Sequence, residues 1–208
     1  MFLRLEYENE AYMQGKTCID GLDEAGRGPM AGPLVVGAVI FEKGYGNDAI
    51  NDSKTLSEKK REELYDIIIR DALDYAIVVM DEEEVDQLNV YRASQTGMIR
   101  AIQQLKLKPD YALTDAMPLG DVIEHQAIIK GDSQSLSIGA ASILAKVTRD
   151  RIMNKYDKLY PQYNFKKHKG YPTKEHKELL KQYGACPIHR KSFKPVMEVL
   201  NEQLTLDI

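Results

Sequence analysis

Between two apolar, strand-like stretches the chain carries Asp23-Glu24-Ala25-Gly26-Arg27-Gly28-Pro29-Met30-Ala31-Gly32-Pro33. So dense a mixture of glycine and proline cannot be helix interior. Residues 17–23 before it read as a strand running into a turn. The run Leu34 to Phe41 after it is apolar and rich in β-branched residues, as a buried strand is. The segment therefore reads as two neighbouring strands joined by an unusual glycine-bearing connection, with two acids where the first strand ends.

The rest of the chain alternates between the two periodicities. Residues 1–16 read as a short polar helix. Ser57 is an N-cap for a helix from about Glu58 to Ala72, with Glu58, Glu62 and Glu63 near its positive end. Residues 74–80 predict a strand, 81–88 and 90–105 two helices, and 111–115 and 126–129 two short strands. A long helix is expected from Ser133 to about Tyr156. Its middle, Ile138 to Val147, is full of small residues and so suited to lying close against a sheet. Loop is expected over 161–172, then helices over 173–183 and 193–204. Strands interleaved with helices, with no linker between them, predict an α/β fold with a mixed sheet. The expected division is a body over 1–160 and a C-terminal helical extension over 161–208.

Several classes are excluded at once. Cys18 and Cys186 give no disulfide framework and no paired-cysteine metal or redox pattern. A reduced, cytoplasmic setting is the simplest expectation. The longest apolar run falls far short of the ~20 residues of a membrane span, and the charged N-terminus is no signal peptide. The net charge of −4 argues on its face against nucleic acid. That total conceals two opposed regions, however. Residues 1–150 carry −10, whereas Arg151 to Pro195 carry +9.

Four acids stand where an α/β scaffold presents chemistry: Asp23 and Glu24 after the first strand, Asp115 after another and Asp132 after a third. Neighbours on a regular strand point to opposite faces. Asp23 and Glu24 would share one site only if the strand ended or kinked there. Carboxylates gathered in this way repel unless a cation sits among them, and all-oxygen sites prefer magnesium or manganese. Two such ions can clamp a phosphodiester and activate water. The bland alternative is that these are ordinary surface or helix-capping acids, as most acids are. Glycines 26, 28 and 32 are spaced one residue too widely for a dinucleotide-binding turn, and Pro29 and Pro33 do not fit the helix such a turn opens.

The segment 23–33 resembles the signature of the ribonuclease HII family. So do Ile50-Asn51-Asp52-Ser53-Lys54 with Leu56-Ser57, Ile129-Lys130-Gly131-Asp132, the stretch Ala140 to Asp150, His168-Lys169-Gly170-Tyr171, and Ile188 to Val196. These blocks stand in the family's order across most of the chain. The resemblance implies an RNase H-like five-stranded sheet flanked by helices, with a C-terminal extension. It implies a monomeric endonuclease, dependent on magnesium or manganese, that cuts the RNA strand of RNA–DNA hybrids and also acts at single ribonucleotides embedded in duplex DNA. By that match Asp23, Glu24, Asp115 and Asp132 are the catalytic acids holding metal. Gly26, Arg27 and Gly28 read the ribose 2′-hydroxyl, which is what distinguishes RNA from DNA, and Tyr171 packs on the following sugar. The sequence departs from the family at Ala116, where glycine usually follows the acid.

Lys54, Lys146, Arg149, His168 and Lys169 are further candidate contacts to the nucleic acid. The basic, aromatic-bearing stretch around Lys166, Lys169, Tyr171 and Arg190 has the composition of a phosphate-binding footprint. Lys174, Lys177 and Lys181 read as a solvated helix face. His125 and His176 read as surface residues. The tail from Gln203 to Ile208 is similar to the short clamp-binding segments of replication proteins, against the bland reading of a frayed helix end. Two rivals remain. A ribonuclease HIII-like, hybrid-only nuclease would carry Gly-Lys-Gly at the turn, which is absent. A non-catalytic hybrid-binding protein would have no need of the four acids.

Overall fold

A computed structural model describes residues 4–206, with side chains as far as residue 202. Its elements run α1 (Glu6–Met13), β1 (Ile19–Ala25), β2 (Leu34–Ile40), α2 (Glu58–Asp71), β3 (Asp74–Met80), α3 (Glu82–Gln104), β4 (Tyr111–Asp115), β5 (His125–Ile128), α4 (Leu136–Leu159), α5 (Phe165–His168), α6 (Lys174–Tyr183) and α7 (Lys194–Leu206). The mixed α/β sheet expected from sequence is present, with strand order β3-β2-β1-β4-β5. No helix of the described residues is long and apolar enough to cross a membrane.

The chain forms two compact units. Met1–Ala25, Val35–Val79 and Ser94–Val147 make the first; Gly26–Leu34, Met80–Ala93 and Thr148–Ile208 make the second. The division between these units falls within α4 and at the glycine turn.

In the first unit β1 runs antiparallel to β2 and parallel to β4, and β4 runs parallel to β5. The small residues of α4 do what their size suggests. A Cβ on Gly21 of β1 would collide with Ser137, and one on Gly37 of β2 with the Ala141 carbonyl, so helix and sheet meet at backbone distance. Leu64 and Ile68 from α2 pack with Val39, Ile143, Leu144 and Val147 in one apolar cluster. Each such fully buried side chain contributes roughly 1.5–3 kcal/mol. The start of α4 is held by α1: Glu8 accepts hydrogen bonds from the Ser135 hydroxyl (2.7 Å), the Ser137 amide (3.0 Å) and the Ser137 hydroxyl (2.6 Å). A buried carboxylate at a helix N-terminus meets both its unsatisfied amides and its dipole.

The two helices expected over 81–88 and 90–105 are both present within α3 and meet at Asn89. Asn89 breaks α3 with φ 62° and ψ 162°, and its side-chain oxygen accepts from the amides of Tyr91 and Arg92. It therefore caps the second segment as an ordinary N-cap would.

The second unit gathers α5–α7 around residues 26–34. Ala31, Met153, Tyr163, Phe165 and Ile188 form one buried cluster, and Met30, Leu180, Val196 and Val199 another. Helix α5 lies within the stretch expected to be loop. Four residues between Asn164 and Lys169, both left-handed, are too short for periodicity to reveal. Residues 203–206 continue α7. Their side chains and residues 207–208, and with them the expected clamp-binding segment, lie outside the described residues.

Candidate metal centre and sugar-reading turn

Three acids of the first unit converge. One carboxylate oxygen from each of Asp23, Asp115 and Asp132 lies within 4.8 Å of the others. Asp23 is near the end of β1, on the face that carries Gly21 toward α4. Asp115 ends β4, where its Oδ1 accepts the Gly131 amide at 2.8 Å. Asp132 sits in a single 3₁₀ turn, Gly131–Ser133, entered through Lys130 in the left-handed region at φ 58°. Parallel pairing brings the ends of β1, β4 and β5 side by side, which is why acids more than a hundred residues apart meet.

Glu24 stands apart from this trio. β1 stays paired through Glu24↔Val36 and Ala25↔Val35 and ends there. By alternation Glu24 therefore leaves from the opposite face to Asp23. Its charge still reaches the site. Burial, then Glu24, then Asp115 push the Asp23 carboxyl well above the usual carboxylate range, against hydrogen bonds from Ser142 and the Glu24 amide. Ser142, which sequence reasoning missed, belongs to α4 and also bonds Ser53 at 2.9 Å. Its signal was present in the small-residue stretch of that helix.

Lys54 lies where a cation is needed. Its Nζ is 3.0 Å from Asp132 Oδ2, with 73% of its side chain exposed. Lys146 is half-buried on α4. The residues fit a hard divalent cation: three oxygen donors, two of them buried, with one carboxyl driven upward by burial and then by its like-charged neighbours. Ala116, where the sequence departs from the family pattern, lies in the left-handed region at φ 53°, a conformation that glycine adopts easily.

The second unit holds the other expected residues. Gly26 has φ 107°, and a Cβ there would strike Arg149 and the Pro33 carbonyl, so the turn requires glycine. Arg27 and Gly28 are exposed. A Cβ on Gly28 would lie 3.3 Å from Tyr171 Cε1. The tyrosine ring, 44% exposed, is thus packed against the turn. Lys169 is half-buried and donates to Asn154 at 2.6 Å.

Two of the expected nucleic-acid contacts are buried and bond the backbone. Arg149 is 1% exposed, and its guanidinium donates to the carbonyls of Pro33 (2.9 Å), Lys169 (2.9 Å) and Ala31 (3.1 Å). It ties the turn to the 169–171 loop from a buried position. Burial lowers its pKa to about 10. His168 is likewise buried, bonding the Tyr163 carbonyl at 2.7 Å through Nε2. Arg190, read from sequence as part of the basic footprint, is buried and repeats the device by donating to the Gly32 carbonyl at 2.9 Å, with its pKa lowered to about 9, chiefly by burial.

The surface expected for His176 and His125 is also corrected. His176 is fully buried on α6; its position four residues before buried Leu180 was the available signal. Half-buried His125 accepts from the Leu119 amide at 3.0 Å. Lys174, Lys177 and Lys181 do lie on an exposed face.

Residues 20–196 match the family described as Ribonuclease HII. A ribonuclease HII of Clostridioides difficile (strain 630) is 54% identical over 188 residues, covering 90% of this chain and 74% of that protein. The crystal structure of the ribonuclease H2 from Pyrococcus horikoshii OT3 aligns with a TM-score of 0.77 at 27% identity, covering 89% of this chain and 98% of that one. The structure of the PCNA:RNase HII complex from Archaeoglobus fulgidus aligns with a TM-score of 0.73 at 26% identity, over 87% and 96% of the two chains.

Proposed function

The chain belongs to the ribonuclease HII family and is a metal-dependent endoribonuclease, and from this premise we propose that it cuts the RNA strand of RNA–DNA hybrids and incises 5′ to single ribonucleotides embedded in duplex DNA. The observation that carries the reading is the convergence of Asp23, Asp115 and Asp132. Magnesium or manganese ions held there, two in number, would supply an activated water and stabilise the leaving 3′-oxygen, giving 3′-hydroxyl and 5′-phosphate ends. Asp23, Asp115 and Asp132 orient the site, and Glu24 adds the fourth negative charge.

The chain's other residues recognise the substrate. Main-chain amides at Gly26, Arg27 and Gly28 meet the ribose 2′-hydroxyl and read no base, so cleavage depends little on sequence. Tyr171 packs on the neighbouring sugar and favours one that lacks the hydroxyl. Lys54, Lys146 and Lys169 meet phosphates, a grip that weakens with salt. Residues 203–208 would engage a sliding clamp, a reading supported by the PCNA complex of the Archaeoglobus fulgidus relative. Deleting those residues should then abolish clamp binding and leave cleavage intact.

The deciding experiment compares a DNA duplex bearing one ribonucleotide with an all-RNA hybrid, each with magnesium and with manganese. Cleavage of both substrates is expected. Cleavage of the hybrid alone would replace this reading with a hybrid-only nuclease.

A further inference from the structure

The second unit contains a closed chain of imidazoles that the proposed chemistry does not use. His176 Nδ1 lies 2.9 Å from the Tyr171 carbonyl, His176 Nε2 lies 3.1 Å from His189 Nε2, and His189 Nδ1 lies 3.0 Å from the Cys186 amide nitrogen. Both rings are buried. The proton positions follow from the two ends. A carbonyl only accepts, so His176 carries its proton on Nδ1 and leaves Nε2 as a lone pair. His189 must then donate from Nε2, which leaves its Nδ1 free to accept the Cys186 amide. Each ring is neutral in one tautomer, and an added proton on His176 Nε2 would set N–H against N–H.

His168 completes the arrangement from the other side. Its ring stacks on His176 at 4.1 Å between centroids, with 15° between planes. Its Nε2 donates to the Tyr163 carbonyl and its Nδ1 accepts the Gly170 amide at 3.2 Å. The residues so pinned, Gly170 and Tyr171, are those that face the turn. Gly170 accepts the Met30 amide at 3.0 Å, and its φ of 83° brings it against the Ala31 carbonyl. The Tyr171 carbonyl is doubly held, by His176 and by the Thr173 amide at 2.8 Å.

We propose that His176 and His189 are positioning residues that fix the main chain at Tyr171, and so set the placement of its ring against Gly28 for sugar recognition. This rests on the reading of Tyr171 as a sugar contact. The geometry favours it over simple core filling, because an apolar ring would fill the volume without directing a donor at that carbonyl.

The test has two arms. Nitrogen-15 spectra of the histidine-labelled protein at pH 7 should show His176 as the Nδ1–H tautomer and His189 as the Nε2–H tautomer, with scalar coupling between their facing nitrogens. The opposite tautomers, or a charged ring, would overturn the proposal whatever the activity. Kinetics on the single-ribonucleotide duplex should show His176→Leu raising KM about tenfold, the worth of one well-placed hydrogen bond, with kcat changed far less. His176→Asn keeps a donor near the Nδ1 position and should recover most of the loss. If Tyr171→Ala raises KM and a folded His176→Leu does not, the positioning role is wrong. If Tyr171→Ala also leaves KM unchanged, the sugar-contact reading fails and takes this proposal with it.

Discussion

Lys54 Nζ lies 3.0 Å from Asp132 Oδ2, an ion pair between a largely exposed lysine and a buried acid of the trio. Asp132, Asp23 and Asp52 all draw its charge in, raising its pKa against the cost of burial. A divalent ion and Lys54 therefore compete for the same oxygen. Lys54→Met is expected to tighten magnesium binding in the free protein by about two- to fivefold, a modest figure because the side chain is largely solvated. The duplex KM should rise at the same time. Isothermal titration and steady-state kinetics measure the two, and unchanged magnesium affinity would remove Lys54 from the site.

Asp23→Asn is expected to separate activity from stability. Cleavage should fall by at least about a thousandfold, while duplex binding survives. The folded-state pKa of Asp23 is raised, so its contribution to stability is present at low pH and lost as pH rises through that pKa. At neutral pH in chelator the variant should therefore melt a few degrees above the parent, by about 1–2 kcal/mol. A lower melting temperature in chelator would show that the carboxylate is not strained there.

Ala116 holds φ 53° immediately after Asp115. A non-glycine residue in the left-handed region costs about 1–2 kcal/mol, partly offset by the greater chain entropy that glycine loses on folding. Ala116→Gly should stabilise the protein by about 0.5–1 kcal/mol in urea unfolding. A destabilised variant would mean that Ala116 makes packing contacts that outweigh its strain.

Burial pulls the pKa of His176 down to about 3 and that of His189 to about 4, from an ordinary 6.5. The unfolded chain thus binds protons that the folded one refuses. The stability these neutral rings contribute is complete above about pH 6.5 and is lost as pH falls toward 4, at up to about 1.4 kcal/mol per pH unit for each ring. Unfolding free energies measured across that range should decline, and the decline should be shallower in His176→Asn. Histidine resonances that titrate near 6.5 in the folded state would refute this.

Much of the scaffold was legible in local sequence. The strands over 74–80 and 111–115 and the Ser57 cap needed only alternation, β-branching and cap chemistry, which act between near neighbours. The small residues of α4 likewise announced close contact, and Gly21 and Gly37 are what they meet. The acids could be placed at strand ends for the same reason.

Which of them converge was decided only by the tertiary structure. Continued pairing of β1 past Asp23 turned Glu24 to the other face, and parallel pairing of β4 and β5 brought Asp115 to Asp132. Arg149, His168 and His176 look polar and therefore exposed in one dimension, yet all three are interior. Their partners are backbone carbonyls that bends in the chain bring to them, Ala31 lying 118 residues from Arg149. Sequence determined which groups were available and the local form of the segments that carry them. Burial, and with it the choice between gripping a ligand and holding the fold, depends on packing between segments far apart in the chain.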